Sequence, residues 1–201
     1  TLLDIMHGSY PYVTSSSTIS TSACLSTGLA PQHVTKVVGI VKAYCTRVGE
    51  GPFPTELKDE VGEKLRKEGA EFGATTGRPR RCGWLDLVAL KYSVRVNGIT
   101  SIVLTKMDVL NSFETIKVCT EYKSGDKSVD SFLSADIHSV VPIYKELKGW
   151  NTNINSCREL SALPQAARDY VKYIEDFVGV PVDVVSVGPD RSESIGLTSI
   201  F

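Results

Sequence analysis

The chain has 201 residues, of which 42% are hydrophobic and 22% are charged, and this composition is typical of a folded domain and excludes a disordered chain. Its 22 basic and 23 acidic residues give a net charge of −1, so there is no cationic surplus to favour binding to nucleic acid or to a membrane surface. No apolar run reaches the roughly 18 residues that a membrane-spanning helix needs.

The five cysteines fit neither a zinc site nor a disulfide framework. Their spacing is wide and irregular, no CxxC pair occurs, and the three histidines lie far apart. This pattern indicates reduced core thiols in a cytosolic protein. The residues that follow Thr1 lack the cationic region and the cleavage site of a signal peptide, and we expect the sequence to begin within a domain.

The first hundred residues predict one strand and three helices. Residues 2–5 are apolar enough for a short buried strand. Pro31 suits the first turn of a helix over 32–47, whose apolar stripe consists of Val34, Val37, Val38 and Val41. A second amphipathic helix is marked by Leu57, Val61 and Leu65. A third covers 85–96 and ends at Asn97-Gly98.

The second half predicts a hairpin and a long helix. Residues 118–122 and 128–132 have the character of paired strands around Ser124-Gly125-Asp126. Pro164 begins a helix whose apolar face carries Ala167, Tyr170, Ile174 and Phe177.

Two further predicted strands, 99–104 and 181–185, run directly into polar loops. The alternation of helices and strands predicts an α/β fold. In an open α/β sheet, ligands bind beyond the carboxyl ends of the strands. The two loops are therefore candidate ligand-binding segments.

Lys106, Met107 and Asp108 follow the first of these strands. A carboxylate here can accept two parallel hydrogen bonds from guanine, at N1–H and at the exocyclic amine, whereas adenine presents no such donor pair. The Lys106 stem can lie along the base while its ammonium stays solvated. Guanine-specific proteins use this [Asn/Thr]-Lys-x-Asp pattern. The alternative is a solvated loop.

Ser186, Val187 and Gly188 follow the second strand. A glycine lets the backbone approach a flat base closely, and a neighbouring amide can donate to the guanine carbonyl. The alternative is a plain turn. Together the two loops suggest a purine pocket, and on the residues alone both interpretations stay open.

The loop over 73–83 combines adjacent threonines, several glycines and three arginines within four positions. Arginine binds carboxylate or phosphate through paired hydrogen bonds, and hydroxyls can bind the remaining oxygens. This loop is a candidate anion receptor, the alternative being a solvated basic loop. The hydroxyl-rich run over 14–18 can likewise hold phosphate oxygens, but taken by itself such a run is better explained by capping or turn chemistry.

Six segments of the sequence resemble the adenylosuccinate synthetase family, and they occur in the family's order along the chain. The longest begins Thr75-Thr76-Gly77-Arg78-Pro79-Arg80-Arg81. In full, the segments are 10–16, 42–49, 51–56, 75–86, 163–167 and 188–191.

The resemblance implies a ligase that uses GTP and Mg²⁺ to join IMP and L-aspartate, giving adenylosuccinate, GDP and phosphate in AMP biosynthesis. The intermediate would be 6-phosphoryl-IMP. The resemblance also implies a cytoplasmic homodimer with no nucleic-acid or membrane partner. The implied fold is part of a phosphate-loop NTPase-like, mostly parallel sheet flanked by helices, with a small antiparallel hairpin region.

The resemblance implies three groups of site residues. IMP would contact Thr14, Val48 and Arg78. L-Aspartate would contact a mobile loop made of Ala74, Thr75, Thr76, Gly77, Arg78, Pro79 and Arg80. GTP would contact Arg80, Lys106, Met107, Asp108, Ser186, Val187 and Gly188.

Some family features have no match in this sequence. The glycine-rich phosphate loop with its catalytic Asp, and the assisting His, do not occur, so 1–201 resembles a single C-terminal segment. We expect this segment to contain no catalytic residue and no metal ligand. Mg²⁺ would be bound by the N-terminal part, and these residues alone would show no turnover. The sequence also departs from the family at Ser17, where the family has Asn, and over 19–24, which lacks the expected glycines.

Two other functions remain compatible with the residues. One is a non-catalytic module that binds guanine or other purine nucleotides. The other is a structural or oligomerisation domain, for which substitutions of Arg78 or Asp108 would leave ligand affinity unchanged.

Overall fold

A computed structural model describes residues 1–75, 77–132 and 137–197. Over these residues the α-helices are α1 (Thr21–Thr27), α2 (Glu60–Glu68), α3 (Leu87–Asn97) and α4 (Gln165–Val178). The strands are β1 (Val38–Lys42), β2 (Cys45–Arg47), β3 (Arg81–Gly83), β4 (Leu85–Asp86), β5 (Ser101–Thr105), β6 (Thr115–Ser124), β7 (Lys127–Val129), β8 (Val141–Lys148), β9 (Val182–Ser186) and β10 (Ser194–Gly196). Short 3-10 turns cover Pro31–His33, Met107–Leu110, Leu160–Ala162 and Arg191–Glu193.

The main sheet has the strand order β1-β5-β9-β10. β1, β5 and β9 run parallel, and β10 is antiparallel to β9. β1 lies at one end of this sheet, and Ile40 on it is 78% exposed. The predicted strands at 99–104 and 181–185 are confirmed as β5 and β9, and they are parallel neighbours.

A second sheet is built around β6, which pairs parallel with β4 and antiparallel with β7 and β8. The predicted hairpin is confirmed: β6 and β7 pair from Tyr122↔Val129 to Ser124↔Lys127. A small antiparallel pair, β2 and β3, completes the strands in the described ranges. The α/β fold with a mostly parallel main sheet and a separate antiparallel region is therefore confirmed.

The helices form where capping and apolar spacing agree. α3 begins after Asp86, whose carboxylate accepts a hydrogen bond from the Ala89 amide, and it ends at Gly98 with a φ of 60°. α4 buries a face at helical spacing and places the Tyr170 hydroxyl 2.7 Å from the Ala43 carbonyl, just beyond β1. The buried residues of α4 are Ala167, Tyr170, Val171, Ile174 and Val178. In the part of the chain that is described, no helix is both long and apolar enough to cross a membrane.

The strand predicted over 2–5 is wrong, because these residues lie in a series of turns. The cause is Asp4, which is almost fully buried and accepts hydrogen bonds from the amides of Met6, His7 and Thr18. A short acidic side chain that collects nearby amides competes with strand pairing.

The helix predicted over 32–47 is also wrong. After the 3-10 turn Pro31–His33, this stretch forms β1 and β2. The same valines that recur at helical spacing are β-branched, and β1 pairs along its whole length with β5, from Val38↔Ser101 to Lys42↔Thr105. Gly39 permits close packing, since an added Cβ would lie 2.8 Å from Cδ1 of Ile99.

Candidate functional site

The two loops predicted to hold a purine lie side by side at one edge of the main sheet. β5 ends at Thr105 and β9 at Ser186, and the two strands are parallel neighbours. Asn155 joins the loops, because its Nδ2 donates to the Val187 carbonyl at 2.9 Å and its Oδ1 accepts from Nδ2 of Asn111 at 3.0 Å. Asn111 directly follows the turn Met107–Leu110. The predicted residues of both loops are thus held as one unit.

Asp108 has a buried carboxylate oxygen, Oδ1, without a hydrogen-bond partner among the described residues. Burial raises the pKa of this carboxyl, as does Glu193, while its own backbone amide and Lys106 act in the opposite direction. A buried oxygen without a donor is costly, and ligand N–H groups would remove that cost. Asp108 is therefore suited to accept hydrogen bonds from a ligand.

Lys106 and Met107 have different roles in the same turn. Lys106 has a left-handed backbone with a φ of 65°, and its Nζ donates to the Gly69 carbonyl at 3.0 Å. Met107 and Val187 are fully buried, so their side chains belong to the core and a contact with a base would have to use their backbones.

Gly188 is packed against a carboxylate. An added Cβ would lie 2.3 Å from Oε2 of Glu193, and that oxygen accepts a hydrogen bond from the Asp190 amide at 2.8 Å. The sequence predicts a glycine here so that a base can approach closely. The contact with Glu193 is a second reason for a residue without a side chain at this position. Sequence reasoning missed Glu193, although Asp190-Arg191-Ser192-Glu193 is a capping-box pattern. Ser186 supports the same turn by donating from Oγ to the Gly188 carbonyl at 2.7 Å.

The anion-receptor loop projects from the protein on a narrow base. The Phe72–Pro79 bridge and the 2.8 Å hydrogen bond from the Gly73 amide to the Arg78 carbonyl close its base. Several residues before Arg80 are predicted to bind aspartate, and those that the structure describes are all exposed: Ala74, Thr75, Gly77, Arg78 and Pro79. The predicted residue Thr76 lies outside the described residues.

The three arginines of this loop do not act together. Arg81 binds both oxygens of Glu56 and also the carbonyls of Gly49 and Gly51. Arg81 thus stabilises the segment that precedes α2. The expectation that all three arginines form one anion receptor is wrong, because Arg81 binds Glu56 and backbone carbonyls instead. Arg80 instead binds Glu71, with Nη1 2.6 Å from Oε2.

Glu71 lies at the centre of a buried cluster that sequence reasoning missed. Its side chain has no exposed surface, and it accepts hydrogen bonds from Tyr44, Lys42 and Arg80. Burial alone would raise the pKa of Glu71, but these three donors together hold it below its ordinary value. Burial, followed by Glu71 and more weakly by Asp108, raises the pKa of the Tyr44 hydroxyl. This cluster lies between the arginine loop and the turn that carries Asp108.

An open cleft of about 840 Å³ lies beside β1 and is lined by Lys42, Thr46, Val48, Arg80 and Asp86, among others. Val48, predicted to contact IMP, is 68% exposed there. Asp108 is not among the residues that line this cleft. Contacts through the Glu71 cluster connect Arg80 to Lys106, which directly precedes the turn that carries Asp108.

Thr14, the other predicted IMP contact apart from Arg78, is fixed beside this cleft by its backbone. Its amide donates to the carbonyl of Leu3, a lining residue, at 2.8 Å. Arg47 binds the carbonyl of Tyr12 and the hydroxyl of Ser9, and so attaches the segment before Thr14 to the end of β2. In the three described ranges, no group of three or more His, Cys, Asp or Glu side chains is arranged to hold a metal ion.

The family model for adenylosuccinate synthetase matches residues 1–195. Adenylosuccinate synthetases of Cytophaga hutchinsonii and Geotalea daltonii are each 55% identical to this chain, over 196 and 203 residues. The matches cover 96% and 100% of this chain but only 46% and 47% of the relatives, so the chain spans about half of their length.

One solved structure agrees with this relationship, and a second shares only the fold. A fully ligated adenylosuccinate synthetase from Plasmodium falciparum matches with a TM-score of 0.91 and 40% identity, covering 97% of this chain and 47% of that chain. A succinoaminodeoxyadenylate synthetase of cyanophage S-2L, at 16% identity and a TM-score of 0.57, shares the fold. These comparisons do not favour a non-catalytic nucleotide-binding module. The chain belongs to the adenylosuccinate synthetase family.

Proposed function

We propose that this chain forms the part of a GTP-dependent ligase that binds L-aspartate, the guanine base of GTP and one side of IMP. The enzyme joins IMP and L-aspartate to give adenylosuccinate, GDP and phosphate. The observation that carries the proposal is the buried, unpartnered oxygen of Asp108 at the carboxyl edge of two parallel strands. It is suited to the paired N–H donors of guanine.

Each substrate is assigned to its own set of residues, and the sets for L-aspartate and IMP share Arg78. Guanine is bound by Asp108 and Lys106, with the backbones of Met107, Ser186, Val187 and Gly188. The carboxylates of L-aspartate are bound by Arg78 and Arg80, with Thr75, Thr76 and the loop residues Ala74, Gly77 and Pro79. IMP is bound by Thr14, Val48 and Arg78.

The chemistry proceeds in two steps. The γ-phosphoryl group of GTP is transferred to the 6-oxygen of IMP while N1 of the base loses its proton, which gives 6-phosphoryl-IMP and releases GDP. The aspartate amine then attacks C6, phosphate leaves with the 6-oxygen, and the nitrogen loses a proton. In both steps these residues bind and orient substrates, because desolvated arginine–carboxylate pairs fix geometry as well as charge.

We assign the phosphate-binding and catalytic groups to a preceding part of a longer polypeptide, with 1–201 as its C-terminal segment. The enzyme of this family uses Mg²⁺. The described residues offer no ligand cluster for it. Family membership supports a cytoplasmic, homodimeric enzyme. Residues 1–201 alone should form no adenylosuccinate under conditions in which the complete polypeptide does.

The complete polypeptide should convert IMP, L-aspartate and GTP to adenylosuccinate and GDP, measured by chromatography. Asp108→Asn should raise KM for GTP about tenfold or more, since a hydrogen bond to a charged group contributes about 1.5–3 kcal/mol. It should also shift preference toward xanthosine triphosphate, whose base presents an oxygen where guanine presents an amine.

The matched control is Asp126→Asn in the exposed turn between β6 and β7, which should leave KM for GTP unchanged. Absence of product with the unmodified enzyme would refute the ligase. An active enzyme whose use of GTP is unaffected by Asp108→Asn would refute the guanine assignment alone.

A further inference from the structure

Glu71 has no exposed surface and uses both carboxylate oxygens. Oε1 accepts from the Tyr44 hydroxyl at 2.5 Å and from Lys42 Nζ at 2.7 Å, and Oε2 accepts from Arg80 Nη1 at 2.6 Å. A buried carboxylate is tolerated only when donors and opposite charges replace its hydration. Two cations and one hydroxyl do so here, which fixes all four side chains relative to one another.

On one side, Glu71 fixes Arg80 through both backbone and side chain. The Arg80 amide donates to the Glu71 carbonyl at 2.9 Å, and the Arg80 carbonyl accepts from Arg66 Nε at 2.9 Å. The ion pair with Glu71 uses one terminal nitrogen of a guanidinium that carries five N–H donors. Arg80 therefore lines the cleft with its orientation already set and with donors left for a carboxylate.

On the other side, the cluster reaches the turn that carries Asp108. Tyr44 packs on Gly69, where an added Cβ would lie 2.2 Å from the tyrosine oxygen. The carbonyl of Gly69 accepts a hydrogen bond from Lys106 Nζ at 3.0 Å. A continuous path of contacts thus runs from Arg80 through Glu71, Tyr44 and Gly69 to Lys106.

We propose that Glu71 is a positioning residue that fixes Arg80 and, through Tyr44 and Gly69, Lys106, so that the carboxylate-binding loop and the purine-binding turn keep one relative position. This inference rests on the proposed function, which assigns ligands to Arg80 and Lys106. It explains why a carboxylate is buried beside a site for anions: its charge orients the cations that bind the substrate.

The test is Glu71→Gln in the complete polypeptide. Glutamine has nearly the same shape, but it presents an NH₂ donor where glutamate presents an acceptor oxygen. That donor would then face another donor. We expect KM for L-aspartate to rise about tenfold or more and KM for GTP to rise severalfold, with kcat changed by less than about threefold. Thermal unfolding and circular dichroism establish that the variant is folded.

Two comparisons separate positioning from a structural role. Glu56 pairs with Arg81 at 2.6 Å, the same distance as between Glu71 and Arg80. Glu56→Gln removes the charge of this partner and should leave KM for L-aspartate within about twofold of the value for the unmodified enzyme. In an Arg80→Ala background, Glu71→Gln should raise that KM by less than about twofold, because the residue through which it acts is gone. Full additivity of the two substitutions would overturn the proposal.

If Glu71→Gln does not fold, Tyr44→Phe provides the second test. It leaves the Glu71–Arg80 ion pair in place and removes the hydroxyl that connects Glu71 to Gly69. KM for GTP should rise about threefold or more, and an unchanged KM for GTP would overturn the coupling. An unmodified enzyme that makes no adenylosuccinate would refute the proposed function, whereas an active enzyme unaffected by these substitutions refutes only the role of Glu71.

Discussion

Arg81 binds Glu56 through two parallel hydrogen bonds, with Nε 2.7 Å from Oε1 and Nη2 2.6 Å from Oε2. Its remaining terminal nitrogen, Nη1, donates to the carbonyls of Gly49 and Gly51. Arg80, its neighbour in the chain, forms its ion pair with Glu71 instead. Two adjacent arginines therefore belong to different parts of the molecule, and their substitutions should have different effects.

Arg81→Lys should lower the free energy of unfolding by about 1–3 kcal/mol, because lysine cannot replace a paired hydrogen bond and two carbonyl contacts at once. KM for L-aspartate should stay within about twofold of its original value. Arg80→Lys should show the reverse, with a raised KM and a smaller loss of stability. Urea denaturation and steady-state kinetics measure the two effects. Equal increases in KM would contradict this division.

Arg78→Leu should raise KM for L-aspartate about tenfold or more, because a carboxylate taken out of water would lose its charged partner. Arg78 is exposed on the loop, so the free energy of unfolding should change little. Arg95→Leu, on the exposed face of α3, removes the same charge away from the loop and serves as the control. A KM that responds equally to both substitutions would indicate a general charge effect.

Gly188→Ala should destabilise the protein by about 0.5–1.5 kcal/mol, since the new methyl group would overlap the Glu193 carboxylate and push it away from its hydrogen bond with the Asp190 amide. Glu193→Ala should relieve that overlap. The double variant should therefore lose less stability than the sum of the single ones, as measured by urea denaturation. Strict additivity would show that the overlap with Glu193 is not what destabilises Gly188→Ala.

Asp86 should make stability depend on pH in a defined window. Burial raises the pKa of this carboxyl to about 6, although hydrogen bonds from Ala89 and Tyr122 act against the rise. Because the folded pKa exceeds the ordinary value of 3.8, the folded state holds the proton more tightly. The stabilising contribution of Asp86 to the free energy of unfolding is fully present below about pH 4. It is lost as the pH rises to about 6, which lowers the free energy of unfolding by about 2–3 kcal/mol.

The measurement compares the unmodified protein with Asp86→Asn across that window. The difference in free energy of unfolding should shift in favour of the variant as pH rises from 4 to 6. Other carboxyls contribute equally to both proteins and cancel. A difference that does not vary with pH would show that Asp86 does not titrate in this range.

The sequence predicts α3, α4, β5, β9 and the β6–β7 hairpin because their signals are local. Asn97-Gly98 ends α3 with a left-handed glycine, and Pro164 precedes a helix with a clear apolar face. The valines of β1 recur at helical spacing, and this spacing led to the wrong prediction because it took no account of their β-branching. Pairing with β5, some sixty residues later in the chain, decided for the strand.

Local signals also predicted those parts of the candidate site whose residues are close together in the sequence. The turns after β5 and β9 were found because each follows a buried strand. The Glu71 cluster was not, because Tyr44 and Lys42 precede it by 27 and 29 residues and no local pattern relates them. The division between Arg80 and Arg81 also depends on partners that only the fold brings near.

The position of β1 has a practical consequence. Within the described part of the chain, β5 is its one hydrogen-bonded neighbour, and Ile40 projects into solvent. A strand with a free side and an apolar surface invites two molecules to pair and aggregate, and a lysine at such a position is a common natural protection. Concentrated samples of these 201 residues should stay monodisperse longer when they carry Ile40→Lys.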